Sequence, residues 1–187
     1  DGHSAVMEVE FSDGSDEVWS SNLVVDLHAP VMEMGGYTID DAGGNGNGSI
    51  DPGETVDIAL EILNAGSSDA YDLSAEISCN DPFITIEQGT QSYGDILAGS
   101  SGTQVFSVSA SMATPAGHEV TFNVSVSGDL VFTAALIFSE IVGHIPVLII
   151  DMDGNGNSAD KMLQALETVD MVAEYSQVFP EDLSIYT

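Results

Sequence analysis

The sequence predicts a mainly β protein: an antiparallel β-sandwich followed by the start of an α/β domain. Three observations carry this expectation. Short segments of alternating apolar and polar residues recur from residue 4 to residue 139, with turn-forming clusters between them. No helical periodicity interrupts this series. After His144 the pattern changes to one continuous apolar run and then one amphipathic helix.

The elements follow in order. SAVMEVEF (4–11) alternates, SDGSDE (12–17) turns, and VWSSNLVVDLHAP (18–30) runs extended to Pro30. Residues 1–29 therefore read as the C-terminal strands of a preceding β domain. TVDIALEILNAG (55–66) puts Val56, Ile58, Leu60 and Ile62 on one face and Asp57, Ala59 and Glu61 on the other, the period of a half-buried strand. AYDLSAEISCN (70–80) repeats the pattern with Tyr71, Leu73, Ala75 and Ile77. FITIEQ (83–88), TQVFSVSAS (103–111), HEVTFNVSVSG (118–128) and LVFTAALIFSE (130–140) complete the set. NAGSSD, CNDP, LAGSSG, TPAG and SGD supply the turns. The sandwich is expected over 30–143.

IPVLIID (145–151) reads as a strand buried on both faces, and DGNGNS (153–158) as a loop. SADKMLQALETVDMVAEY (158–175) predicts a helix with Met162, Leu166, Val169 and Ala173 along one side and Leu163 beside them. Asn157 or Ser158 caps it, and Asp160 sits in its first turn. Strand, loop, helix and extended segment make 144–187 the start of a truncated α/β domain, because a parallel sheet needs further such units.

Charge bounds the function. The chain of 187 residues carries 31 Asp and Glu against one cation, Lys161, for a net charge of −30. Most carboxylates have no partner for a salt bridge, so salt screening or bound divalent cations must relieve their repulsion. Nucleic-acid binding and docking on anionic lipid are excluded, since both need a basic surface. No stretch reaches the ~20 apolar residues of a membrane span, so no membrane insertion is expected. Extreme acidity with one Lys points to a secreted or salt-exposed protein.

Catalytic chemistry has little to stand on, and no catalytic residue is assigned. Cys79 is alone, which excludes an internal disulfide, and no basic surroundings are available to activate it. It reads as a half-buried strand cysteine. His3, His28, His118 and His144 share no ligand spacing. Trp19 with Tyr37 and Tyr93 reads either as a sugar platform or, for the lone Trp, as a core residue.

The remaining polar chemistry lies in DDAGGNGNGSIDPGE (40–54). Counted as a twelve-residue calcium loop, it ends on Glu54, the bidentate ligand at position 12. Asp51 then stands at position 9, Ile50 at 8 as the apolar anchor, and Gly48 at 6 where the backbone turns sharply. Asn47 and Asn45 occupy positions 5 and 3, and Ser49 at 7 offers its backbone carbonyl. Position 1 is Gly43, which has no side-chain oxygen, so Asp40 or Asp41 must reach in. Oxygen donors on a glycine-rich backbone suit Ca²⁺ better than Zn²⁺ or Mg²⁺, and Ca²⁺ is the expected cofactor. The competing reading is a flexible linker.

DMDGNGNSADKM (151–162) matches half of the same pattern. Asp151, Asp153, Asn155, Gly156 and Asn157 fit positions 1, 3, 5, 6 and 7, but position 8 is Ser158 and position 12 is Met162, which cannot ligate a hard cation. The two readings are a weaker second metal site and a structural βα turn.

GNGNGSIDPGETVDIALEILNAGSSDAYDLSAEIS resembles the glycine-rich entry "GNGDG-ϕ-x-PGE", followed by "ϕ-x-ϕ-x-ϕ-x-N-x-G", of Ig-like accessory β-sandwiches in large secreted bacterial proteins. These are similar to CARDB-type domains. YGDILAGSSGTQVFSVSAS (93–111) is similar to their "G-x-ϕ-x-x-G-x-S" strand entry. HIPVLIIDMDGNGNSADKMLQALE resembles the segment that follows such sandwiches in multidomain surface proteins, gingipain-like cysteine peptidases among them. The resemblance spans residues 30–187. It implies a non-catalytic spacer or interaction module, secreted or at a bacterial cell surface, with calcium stiffening the entry loop. Its partners would be neighbouring domains of the same polypeptide, and beyond them other proteins or glycans. Gly43 and Asn45 stand where the family often has acids. Two alternatives remain: an accessory domain of a secreted peptidase with its active site elsewhere, and a subunit of an extracellular adhesin or fibre.

Overall fold

A computed structural model describes residues 1–15, 17–144, 147–152, 155–168, 173–180 and 183, without the side chain of Leu130. In chain order the strands are β1 (His3–Ser12), β2 (Val18–Leu27), β3 (Met32–Asp40), β4 (Thr55–Asn64), β5 (Ala70–Ser78), β6 (Ile84–Gln88), β7 (Thr90–Ile96), β8 (Ser101–Ala110), β9 (His118–Gly128) and β10 (Phe132–Val142). β11 (Val147–Ile150), helix α1 (Asn157–Glu167) and β12 (Ala173–Ser176) follow.

Two antiparallel four-stranded sheets form a β-sandwich. One has the order β3-β4-β8-β6 and the other β10-β9-β5-β7. The alternation read from the sequence sets which faces meet. Val56, Ile58, Leu60 and Ile62 of β4 are at most 1% exposed and lie beside Phe106 and Val108 of β8. Opposite them stand Leu73, Ala75 and Ile77 of β5 and Val120, Phe122, Val124 and Val126 of β9, all in the same core. Each fully buried Val, Leu, Ile or Phe side chain contributes ~1.5–3 kcal/mol relative to an exposed one. Phe122 stacks on Phe138 at 5.0 Å, and Tyr37 closes the row against Phe138 at 4.5 Å.

Several expectations need correction. Tyr71 does not join Leu73 on the core face: it is half exposed, and Ala70 is buried instead. The cause is a bulge between Ala70 and Leu73, where Asp72 takes a left-handed φ of 50° and the period of two slips by one residue. β3 and β7 lack clean alternation, and the sequence did not announce them. The Gly35–Gly36 pair interrupts β3 at a bulge, and β7 is mostly polar. Because β3 precedes the 40–54 loop, that loop is not the entry of the sandwich but a connection inside it.

The helix is shorter than 158–175. α1 ends at Glu167, and Ala173, expected on its apolar side, belongs to β12. Val169 lies outside the described residues. The cap is Gly156, at a left-handed φ of 70°, rather than Asn157 or Ser158, while Asp160 does stand in the first turn. β12 pairs parallel with β11, Val147 opposite Ala173 and Ile150 opposite Ser176, so the segment is a βαβ unit.

β4 defines the axis that positions everything else. Met32, where the chain enters the sandwich, pairs with Asn64 at one end of β4. Val142, where it leaves, bridges Ile50 in the loop at the other end. Entry and exit are therefore separated by the length of a ten-residue strand, about 30 Å.

Candidate metal centre

The loop between β3 and β4 is held by its own side chains. Asp40, exposed at the end of β3, accepts the Ala42 N–H at 3.0 Å. Asp41 turns inward, is 4% exposed, and accepts the N–H groups of Asn47 at 2.8 Å and Gly48 at 3.1 Å. Of Asp40 and Asp41, Asp41 is the one whose carboxylate faces the loop amides. Asn45 Oδ1 accepts the Asn47 N–H at 3.0 Å, and Asn47 Oδ1 accepts the Ser49 N–H at 2.9 Å. These successive Asx turns run through Gly46 and Gly48, whose φ of 76° and 81° favour glycine.

Ile50, the expected apolar anchor, is fully buried, and its carbonyl accepts the Gly143 N–H at 2.6 Å. The chain then turns through Asp51–Glu54 and joins the ladder to β8, with Gly53 N–H on the Ala110 carbonyl at 3.0 Å.

Two further carboxylates meet different partners. Asp51 Oδ2 accepts the amide N–H groups of Asn45 at 2.6 Å and Asn47 at 2.8 Å. Glu54 Oε1 accepts the Asn45 backbone N–H at 3.1 Å. Glu54 Oε2 is buried and has no hydrogen-bond partner. A Cβ on Gly44 would collide with this carboxylate, so glycine is what lets the loop backbone lie over it. His144 adds a second orphan: its Nε2 lies 3.2 Å from Asn47 Nδ2, while its Nδ1 is buried without a partner. With the Asn47 amide donating, Nε2 accepts and the ring proton sits on Nδ1.

These residues fit a calcium ion in kind. All the side-chain donors are hard oxygens, the amide oxygens of Asn45 and Asn47 each keep a free lone pair, and a buried carboxylate oxygen is unpaired. Among the described residues no three Asp, Glu, His or Cys side chains form a metal cluster by themselves. A site here therefore needs amide and backbone oxygens such as the Ser49 carbonyl, a mixture that Ca²⁺ accepts and Zn²⁺ does not favour. The amide nitrogens of Asn45 and Asn47 hold Asp51.

The second loop is built alike but closes differently. Asp151 Oδ2 accepts the Gly156 N–H at 2.9 Å and the Tyr175 hydroxyl at 3.2 Å. Asn155 Oδ1 accepts the Asn157 N–H at 3.1 Å. Asp153 lies outside the described residues. Asn157 already begins α1, and Met162 is half exposed on that helix. Asp151, Asn155 and Asn157 thus shape the turn from β11 into α1.

One residue was missed by the sequence reading. Asn64 is fully buried and uses its whole amide. Its Oδ1 accepts the N–H groups of Val31 at 3.2 Å and Gly66 at 3.1 Å, and its Nδ2 donates to the Ser68 and Ile96 carbonyls at 2.9 and 3.0 Å. A Cβ on Gly66 would strike the Ala29 carbonyl and the Val31 amide. The "N-x-G" of the sequence motif was the available signal: it is the knot that ties the incoming chain to β4.

The remaining candidates stay apart. His118 Nε2 meets Asp81 Oδ2 at 2.7 Å beneath the edge of Phe83. Burial opposes ionisation of Asp81, but the Phe83 N–H and His118 together hold its carboxyl below the usual range. Cys79 is half-buried just past β5, and burial pushes its thiol up, away from a nucleophile. Trp19 is half exposed on β2 rather than in the core, Tyr37 packs on Phe138, and Tyr93 is buried with its hydroxyl on the Leu60 carbonyl at 2.9 Å. The three do not form one platform.

No protein-family model and no curated protein matches the chain, so the CARDB-type and gingipain-type associations gain no support there. Among solved structures it is similar to a conjugative transposon lipoprotein from Bacteroides eggerthii DSM 20697, with 14% identity, 58% of this chain and 93% of that one covered, and a TM-score of 0.32. It is similar to the major pilin subunit BcpA of Bacillus cereus at 12% identity, covering 81% of this chain and 52% of that one, with a TM-score of 0.33. Spo0M, a sporulation control protein from Bacillus subtilis, matches at 13% identity over 76% of this chain and 55% of that one, with a TM-score of 0.35. The chain thus spans about half the length of the last two. The fold assignment rests on the strand pairing itself. No helix among the described residues is long and apolar enough to cross a membrane.

Proposed function

We propose that the chain is a non-catalytic spacer and interaction module of a secreted or cell-surface bacterial protein, with Ca²⁺ at the 41–54 loop stiffening its exit joint. The observation that carries this reading is the buried, unpartnered Oε2 of Glu54 beside a loop already folded around Asp41. An anionic oxygen out of water and without a donor is costly, and a cation relieves that cost. Asp41, Asn45, Asn47, Asp51, Glu54 and the Ser49 carbonyl would hold the ion. Bound there, Ca²⁺ supplies the positive charge that one lysine in the whole chain cannot.

The spacer part of the reading rests on placement. The loop grips Val142 and Gly143 through Ile50 and meets His144 through Asn47, the residues by which the chain leaves the sandwich. Entry, fixed by Asn64, lies at the opposite end of β4. Stiffening both ends sets the distance between whatever stands before and after. The test is calorimetric titration of the metal-free chain with Ca²⁺ at low ionic strength. One binding event is expected, lost in Glu54→Gln; absence of binding heat and of any competition with a calcium indicator dye defeats the proposal.

A further inference from the structure

The sequence contains three Asn-Gly pairs: Asn45-Gly46, Asn47-Gly48 and Asn155-Gly156. An asparagine followed by glycine is able to modify itself. The glycine backbone nitrogen attacks the asparagine Cγ, and without a Cβ nothing on the glycine hinders that approach. The nitrogen must first give up its proton, so whatever holds its N–H governs the rate.

The fold treats the three pairs differently. Gly48 N–H is held by Asp41 Oδ1 at 3.1 Å, and Gly156 N–H by Asp151 Oδ2 at 2.9 Å. A carboxylate in that place opposes the reaction twice. Its hydrogen bond stabilises the protonated nitrogen, and its charge repels the anion that deprotonation leaves. Gly46 N–H has no hydrogen-bond partner among the described residues, although the N–H groups on either side, of Asn45 and Asn47, are both bonded. Asn45 and Gly46 are exposed, and the space beside Gly46 is open. The side-chain carbonyls do not distinguish the pairs. Asn45, Asn47 and Asn155 each accept, through Oδ1, the N–H two residues on, at 3.0, 2.9 and 3.1 Å. Each such donor steadies the negative charge that forms on the oxygen as Cγ is attacked. The free nitrogen of Gly46 is what sets Asn45 apart.

We propose that Asn45 is a self-modification site, where the third place of the loop is converted from an amide to a carboxylate. The Gly46 N–Cγ bond forms and the Cγ–Nδ2 bond breaks. Ammonia leaves, its third hydrogen balancing the proton that Gly46 gave up, and a five-membered succinimide remains. Water then adds to either ring carbonyl, and the ring opens to an aspartyl or isoaspartyl residue. No oxidant or reductant is needed. The product removes the amide that holds Asp51 Oδ2 at 2.6 Å and sets a like charge beside it. That repulsion increases the demand for a cation, a consequence that rests on the calcium reading, whereas the modification does not.

The test is peptide mapping by mass spectrometry after incubation of the chain in mildly alkaline buffer with chelator. In the folded chain, amide-to-acid conversion is expected severalfold faster at Asn45 than at Asn47 or Asn155, and denaturant should bring the three rates together. Asp41→Ala frees the Gly48 N–H and should raise the Asn47 rate severalfold. Equal rates in the folded chain, a lead for Asn47 or Asn155, or no conversion at Asn45 overturns the inference. An Asn47 rate unmoved by Asp41→Ala overturns the part assigned to the bound N–H. Because the mapping runs in chelator, its result stands apart from whether the loop binds Ca²⁺.

Discussion

The two ends of β4 solve the same problem with different chemistry. At the Asn64 end, one buried amide makes four hydrogen bonds and joins the incoming chain to β4 and the end of β7. Every valence of that knot is filled by protein atoms. At the Glu54 end, carboxylates and amides wrap the outgoing chain, and a buried oxygen is left over. A neutral amide carries its own donors and acceptors, so it can close a joint alone. A carboxylate carries only acceptors, and at Glu54 Oε2 no donor meets it. The difference between complete and incomplete bonding is what the proposed calcium site rests on.

Breaking the complete joint should have the largest effect. Asn64→Ala leaves buried donors and acceptors on both sides of the knot and should cost about 3 kcal/mol or more in denaturant melts, equally with and without Ca²⁺. Asp41→Ala should cost about 2 kcal/mol by freeing the Asn47 and Gly48 N–H groups, and should also abolish the calcium response. Equal calcium dependence in both variants would erase the contrast between the ends.

A third joint supplies a pH control. The folded-state carboxyl of Asp81 sits lower than in the unfolded chain, so its contribution is present above the ordinary carboxylate pKa, about 3.9, and is lost as pH falls below that value. Melts from pH 6 to 3, with matched Asp81→Asn samples, should show a shallower acid slope in the variant and no change in the calcium increment. The smallest effect is expected at α1. Met162→Glu restores an acid at the twelfth place of the second loop, yet stability should move by no more than ~0.5 kcal/mol and no calcium response should appear. The reason is that α1 already starts at Asn157, so the closing residue is carried along a helix instead of back over the loop. A gained calcium response would show that the closing residue alone distinguishes the loops.

What the sequence disclosed followed from its regular stretches. Val56 to Ile62 and Val120 to Val126 keep a strict period of two, so their buried faces could be read directly. The buried Ile50 and the left-handed Gly48 were legible because a twelve-residue register counted back from Glu54 fixes them relative to one another. That Asp41 rather than Asp40 faces the Asn47 and Gly48 amides was not, since it depends on where β3 stops. β3 was hidden by the bulge at Gly35–Gly36, β7 by its mostly polar composition, and the Tyr71 reversal by the bulge at Asp72, which shifts side chains by one residue. The early end of α1 escaped because Ala173 fits a helical spacing and a short parallel strand equally well. Asn64 was visible as a motif letter, but its four bonds come from segments up to 33 residues away.

The measurement that bears most directly on the central claim is the melting temperature at low ionic strength in saturating Ca²⁺ against chelator. An ion at a hundred times its Kd stabilises by ~2.7 kcal/mol, which for a chain of this size raises Tm by roughly 5–10 °C. That rise is expected in the unaltered chain, absent in Glu54→Gln, and not reproduced by monovalent salt at matched ionic strength. Identical melts in Ca²⁺ and chelator, or a rise that monovalent salt reproduces in full, would contradict the account.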